Sequence, residues 1–146
     1  MRWQVLAIGK PKLRFTATGM EEYLRRLGPM TRVEVDWLRA GTQTAESEAL
    51  RNRSEGFFRI VLDERGEEVT SQGLADRITG WEQRSVKAVA LLVGGADGHR
   101  EELRQVADWR WSLSRLTLQH EMALLLALEQ VYRAYTIKAG LPYHRE

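Results

Sequence analysis

Apolar residues along this chain fall into short β-rich runs that alternate with longer segments of helical spacing. Trp3 to Ile8 is an apolar run closed by Gly9 and the Lys10-Pro11 break, which predicts a buried strand feeding a loop. Met20, Tyr23, Leu24 and Leu27 then recur at helical spacing up to Gly28-Pro29, and Thr18 with Glu21 three residues later reads as the capping box that opens the helix. Val33, Val35 and Trp37 alternate with Glu34 and Asp36, the pattern of a half-buried strand. The polar stretch from Thr42 to Glu55 carries Ala45, Ala49 and Leu50 on one side and predicts a surface helix on a narrow apolar stripe. Phe57 to Leu62 is a third strand, ending in the turn composition Asp63-Glu64-Arg65-Gly66.

Leu74, Ile78 and Trp81 mark the inner face of the next helix, with Thr70 or Ser71 as its cap. Ala88 to Val93 is a continuous apolar strand closed by Gly94-Gly95. His99 to Asp108 reads as another helix, Trp109 to Leu113 alternates like a strand, and a last helix runs from about His120 to Ala139, stopped by Gly140 and Pro142. Strands alternating with helices imply an α/β fold, a Rossmann-like, mostly parallel sheet with helices on both faces. No internal repeat or linker interrupts it, so residues 1–146 are taken as a single domain.

Composition changes this picture little but excludes several classes. An apolar fraction of 43% with 29% charged residues describes a globular chain, and the absence of cysteine removes disulfides and thiolate metal sites. The N-terminus lacks the apolar core of a signal peptide, and the longest uncharged apolar run, Met122 to Leu128, is far short of the roughly 20 residues that span a bilayer. A cytoplasmic protein without membrane contact is expected. The net charge is only +2, yet Arg2, Lys10, Lys12 and Arg14 fall in the first 20 residues without a single acid, a cluster that suits either solubility or a phosphate-rich partner.

Ligands of open α/β sheets bind beyond the carboxyl ends of the strands, which singles out three segments. These are the loop after Leu62, the Gly94-Gly95-Ala96-Asp97-Gly98 loop and Ser114 to Gln119 before the last helix. The glycine loop has neither the GxGxxG spacing nor a following Gly-Lys-Ser/Thr, so it is a tight turn or a close backbone approach to a ligand, and not a phosphate loop. In Ser114 to Gln119, Leu116 and Leu118 alternate with hydroxyl and amide groups, which fits local capping or the wall of an adenine-nucleoside pocket. His120 opens a helix, where the dipole disfavours its charged form and a neutral imidazole could accept a proton. His99, His120 and His144 are scattered without metal-ligand spacing, so no metal is expected. Trp109, Trp111, Tyr132 and Tyr135 serve either the core or an interface between copies.

The motifs LLVGGADG, WSLSRLTLQHEMALLLALEQVYRAYTI and the terminal LPYHRE, taken in that order, resemble the RlmH family of SPOUT-class RNA methyltransferases, and the likeness runs the full chain from VLAIGK and EEYLRRL onward. The resemblance implies a SPOUT fold with a C-terminal trefoil knot and a homodimer. It implies S-adenosyl-L-methionine as methyl donor and N3 of a pseudouridine in helix 69 of 23S ribosomal RNA, in the assembled ribosome, as acceptor. By motif, Leu62, Gly95, Ser114, Arg115, Leu116, Thr117, Leu118 and Gln119 become the cofactor-binding positions and Tyr143, His144 and Arg145 the substrate-facing ones. His120, His144 and Arg145 are the catalytic candidates, with the tail of one subunit closing over the cofactor of the other. Three positions depart from the family pattern: GGADG stands for GGPEG, Gln119 for a proline, and Glu67 for a basic residue. A catalytically inactive ribosome- or RNA-binding module of the same fold is the competing reading.

Overall fold

A computed structural model describes residues 1–145. Five strands, β1 (Arg2–Ile8), β2 (Arg32–Leu38), β3 (Phe58–Glu67), β4 (Ala88–Val93) and β5 (Trp109–Trp111), alternate with five helices, α1 (Arg14–Leu27), α2 (Gln43–Arg53), α3 (Ser71–Gln83), α4 (Glu101–Gln105) and α5 (His120–Lys138). The strands form one sheet in the order β2-β1-β4-β3-β5, and every pairing is parallel. Central β1 and β4 are buried on both faces, which is why both read as unbroken apolar runs, whereas edge strand β2 alternates in exposure.

Strand alternation divides the core. Trp3, Val5, Ala7, Val89, Leu91 and Val93 point to the side covered by α1, α3 and α5, where Leu27, Leu74, Ile78, Leu124, Leu128 and Val131 meet them. Leu6, Ile8, Val61, Ala90 and Leu92 point to the other side, against Leu50 of α2 and Leu103 of α4. Each such fully buried aliphatic side chain stabilises the fold by about 1.5 to 3 kcal/mol relative to exposure, before chain entropy is counted. The long α5 reaches the larger core through Leu124, Ala127, Leu128, Val131, Ala134 and Tyr135, an i, i+3, i+4, i+7 stripe.

Three expectations change. The first helix starts at Arg14 rather than at a Thr18 cap, and its N-cap, Leu13, makes no side-chain capping bond. Its entry is instead fixed from α5, where the Glu121 carboxylate accepts the N–H groups of Lys12 and Leu13, at 3.0 and 3.1 Å, and the Thr16 hydroxyl, at 2.7 Å. The expected turn at Asp63 to Gly66 lies within β3: both Leu62 and Glu67 pair with Trp111, so the intervening residues bulge out of the ladder and the strand resumes. Gly66 permits this crossing, because a Cβ there would lie 2.6 Å from the backbone C and O of Arg110. The fourth helix shortens to Glu101–Gln105, leaving His99 and the loop ahead of it outside the helix.

The aromatic residues weighed for an interface belong largely to the core. Trp109, Trp111 and Tyr135 are buried, and Tyr132 is half-buried. Trp3, Trp81, Trp109 and Trp111 form a continuous ring series with centroids 5.6 to 6.4 Å apart, and Trp3 Nε1 donates to Tyr135 Oη at 2.9 Å. Among the described residues no helix is long and apolar enough to cross a membrane.

Candidate functional site

At the β3 bulge and beyond the carboxyl ends of β4 and β5 the three segments marked in the sequence enclose a cavity of about 520 Å³. Leu62, Gly95, Ser114, Leu116, Thr117, Leu118, Gln119 and His120 all line it. Arg115 stands outside that lining: its guanidinium donates to Glu64 O at 2.9 Å and pairs with Glu68 at 2.7 Å, so it braces the wall from behind. The wall is mixed in character. Leu62, Val93, Leu113, Leu116 and Leu118 supply apolar faces, while Glu64 and Asp97 are exposed acids at the rim. Leu116, 73% exposed, is the most exposed large apolar side chain among the described residues, and it stands at this cavity.

Local chemistry explains the loops. Ser112 Oγ donates to Glu64 O and Ser114 O, at 3.1 and 3.0 Å, and Thr117 Oγ1 donates to Glu64 Oε2 at 3.1 Å, which fastens the segment before α5 to the β3 bulge. Gln119 takes over the capping of α5, its side-chain oxygen accepting the N–H groups of Glu121 and Met122 at 2.9 and 3.0 Å. Glu67 has an equally local role: its carboxylate accepts Trp109 Nε1 at 2.8 Å and Arg77 at 2.6 Å.

Sequence reasoning missed the supports of the glycine loop. Gln43 Nε2 donates to Asp97 O at 2.8 Å, Ser47 Oγ accepts Arg100 N at 3.1 Å, and buried Glu46 stands where a Cβ on Gly95 would come within 3.1 Å of its Oε1. The amino end of α2 thus holds the Gly94 to Gly98 loop. The second omission is His99, 4% exposed, whose ring lies under Gly94; a Cβ on that glycine would meet the ring at 2.9 Å. His99 Nε2 bonds the Leu62 carbonyl at 3.2 Å, and Nδ1 is buried without a hydrogen-bond partner. Burial, then the neighbouring Arg104 guanidinium, pushes its pKa down to about 4, so it is neutral at pH 7. No sequence signal distinguishes this histidine, because its hydrogen-bond partner, the Leu62 carbonyl, is 37 positions away.

The tail is not at the cavity. Gly140, at φ +70°, turns the chain back along α5, where Tyr143 Oη donates to Glu129 at 3.1 Å and lies 3.2 Å from Tyr23 Oη. Its ring meets Tyr132 edge-on, and the Arg133 guanidinium covers it at 4.7 Å. Burial, then the bond to Tyr23 and the charge of Glu129, raises the Tyr143 phenol well above its ordinary range. His144 Nδ1 lies 3.2 Å from an Arg133 nitrogen, and Arg145 is exposed; Glu146 lies outside the described residues. Glu129 follows His120 by nine residues, about 13 Å along the helix axis. Within one copy, therefore, Tyr143, His144 and Arg145 do not join the cofactor candidates, whereas His120 does.

The family model described as "Predicted SPOUT methyltransferase" matches residues 1–144. The chain is 46% identical over 145 residues to "Ribosomal RNA large subunit methyltransferase H" of Thermus thermophilus, covering 99% of both proteins. It is 39% identical over 153 residues to the protein of that name from Desulfotalea psychrophila, covering 99% of this chain and 100% of the relative. Among solved structures, a probable methylase family protein from Haemophilus influenzae Rd KW20 superposes with a TM-score of 0.58 at 9% identity, over 99% of this chain and 70% of the other. A probable methyltransferase from Bordetella pertussis Tohama I gives the same TM-score at 13% identity, over 92% and 96%. At such identities the two structures speak for the fold.

Proposed function

Because the chain belongs to the SPOUT methyltransferase family, we propose that it transfers methyl from S-adenosylmethionine to large-subunit ribosomal RNA, at N3 of a pseudouridine in helix 69 of the assembled ribosome, as a homodimer. The observation that carries this reading is that the glycine loop, the β3 residues from Leu62 into the bulge and the Ser114 to Gln119 segment converge on one cavity. Its volume lies inside the roughly 300 to 1,000 Å³ of small-molecule sites. Its lining fits the cofactor: leucines for a purine face, backbone groups for the purine edge, and carboxylates at the rim for a cationic sulfonium.

Leu62, Gly95, Leu116, Leu118 and the backbone from Ser114 to Gln119 would hold the cofactor, with Arg115 and Thr117 fastening that wall to Glu64. When bound, the cofactor supplies an electrophilic methyl on sulfur. The protein must then orient N3 of the target toward that methyl and remove the N3 proton as the new N–C bond forms. Orientation is the larger contribution, about 7 to 11 kcal/mol for a well-aligned pair, against about 10² to 10⁴-fold for a general base. His120, half-buried on the cavity wall, is the one of the three catalytic candidates that can act as proton acceptor within one copy.

Completing the site requires a second copy. Tyr143 and His144 dock on α1 and α5 of their own chain, away from their own cavity, so together with the exposed Arg145 they would face substrate at the cavity of a partner. Exposed Leu126 and Leu141, on and beside α5, provide apolar surface for that contact. In such a dimer Arg145 would grip RNA phosphate or base, and His144 would assist His120 in proton removal. The trefoil knot belongs to the same proposal, with the chain after β5 running under the β3 bulge through the Ser112 contacts to Glu64 and Glu67.

The test is methyl transfer to ribosomes lacking the modification, with mapping of the methylated nucleotide, beside calorimetry with S-adenosylmethionine. Methylation at N3 of a helix 69 pseudouridine, with cofactor binding, supports the reading. Ribosome binding with no heat from the cofactor would instead establish an inactive binding module.

A further inference from the structure

The basic cluster near the N-terminus has no part in the cavity or its supports. Lys10, Lys12 and Arg14 lie between β1 and the first turn of α1, and Arg39 follows β2 directly; all four are exposed. The two segments are joined where Gly9 N donates to Leu38 O at 2.7 Å, which places the four cations along one end of the sheet. That end adjoins the cavity. The backbone N–H groups of Lys12 and Leu13 are held by Glu121, and the preceding residue, His120, lines both the cavity and the crevice bordered by Gly9 and Pro11.

Their charge is left unneutralised. None of the four forms an ion pair among the described residues, a state they share with Arg84 and Lys87 but, unlike that pair, beside the cavity. Carboxylates close by are committed elsewhere: Glu121 to the start of α1, Glu46 to Gly41 N at 2.9 Å, and Asp36 to Arg53 at 2.6 Å. Arg14 also stands in the first turn of a 14-residue helix that has no acid there, a position where the helix dipole opposes a cation. Solubility alone calls for neither this clustering nor that placement.

We propose that Lys10, Lys12, Arg14 and Arg39 form a backbone-binding track for RNA that runs from the His120 side of the cavity across the β1 and β2 ends. The inference rests on the RNA methyltransferase reading and adds the surface that holds the substrate strand. The track supplies phosphate contacts, which position the strand without selecting sequence, and the cavity and partner tail handle the target base. It lies on the same copy as the cavity it serves, so the strand is held in cis while the tail acts in trans.

The test uses the full chain carrying Lys10→Gln, Lys12→Gln, Arg14→Gln and Arg39→Gln together. Each lost phosphate contact should flatten the dependence of log affinity on log salt by about 0.7 to 0.9, about 3 for all four, for both unmodified ribosomes and protein-free large-subunit RNA. Affinity at about 0.1 M salt should fall at least tenfold while S-adenosylmethionine affinity stays within about twofold, which also reports an intact fold. Replacing both lysines by arginine should preserve the slope. Arg84→Gln with Lys87→Gln, between α3 and β4 at the other end of the sheet, should leave it unchanged.

An unchanged slope in the fourfold variant overturns the track. So does an equal effect per charge from the Arg84 and Lys87 pair, which would reduce the effect to net charge. A change seen on ribosomes but not on protein-free RNA overturns it in favour of an acidic ribosomal protein surface. A wild-type protein that methylates no ribosome overturns the underlying reading, and is recognised by its failure before any variant is compared.

Discussion

The Thr16 hydroxyl donates to the Glu121 carboxylate across 105 residues of sequence, at 2.7 Å, and so ties the start of α1 to the start of α5 beside the cavity. Burial opposes ionisation of Glu121, but the bonds from Thr16, Lys12 N and Leu13 N outweigh it and hold the carboxyl below its ordinary range. Glu121→Ala leaves those donors without their acceptor and should cost about 1 to 3 kcal/mol. The sign with pH follows from the lowered value. Stabilisation by the carboxylate is complete above its unfolded pKa of about 4.3 and is lost as pH falls through the folded pKa. Thermal unfolding of wild type and Glu121→Gln between pH 7 and pH 3 should therefore converge at the acid end; a gap that widens there contradicts the account.

His99 gives acid sensitivity in a different window. Its imidazole is neutral in the fold, with a pKa pushed down to about 4, whereas the unfolded chain takes up the proton near 6.5. Between those values the unfolded state binds more protons, so stability falls as pH drops from about 6.5 to about 4, by up to about 3 kcal/mol. His99→Leu fills the same space under Gly94 without a titrating group and should remove this slope. Denaturant unfolding at pH 7 and pH 5 measures it. Freed from His99, the Leu62 carbonyl should also shift cofactor affinity, and calorimetry with S-adenosylmethionine checks that separately.

Gly66 and Gly80 make opposite predictions from the same substitution. A Cβ added at Gly66 would meet the Arg110 backbone at 2.6 Å, which cannot move without opening the β3–β5 pairing. Gly66→Ala should destabilise by about 1 to 3 kcal/mol or more. Gly80, inside α3, has open space around its Cβ position, so Gly80→Ala should stabilise by about 0.5 to 1 kcal/mol. Paired thermal melts decide both.

How far the sequence carried follows from the range of the interactions involved. Strands and helices set by their own periodicity were legible: Thr70 caps α3 by accepting Gly73 N, and α5 begins at His120 as its pattern required. The start of α1 was not, because its anchor, Glu121, lies more than 100 residues away. Asp63 to Gly66 has the composition of a turn, and only the pairing of both Leu62 and Glu67 with Trp111 makes it a bulge. The loops that line the cavity could be marked in advance because glycine and alternating leucines are local signals. Glu46 and His99 act through packing brought about by the fold, so nothing near them in sequence announces their roles.

Placement of the tail away from its own cavity leads to the sharpest prediction. If the tail acts on a partner, a protein truncated after Gly140 keeps its cavity and should bind S-adenosylmethionine nearly normally while losing methyl transfer. A second protein with Gly95→Leu keeps its tail but blocks the loop against Glu46 and Ile8, and should also be inactive. Mixed and allowed to exchange subunits, the two should regain activity, because the heterodimer joins one intact cavity to one intact tail. Action in cis predicts no recovery at any mixing ratio. Removing the tail also strips Tyr143 from Tyr23 and Glu129, so light scattering and cofactor calorimetry on the truncated protein must first establish a folded dimer. Tyr143→Phe refines the result: it deletes the bond to Glu129 while keeping the ring contact with Tyr132, and should lower turnover far less than truncation does.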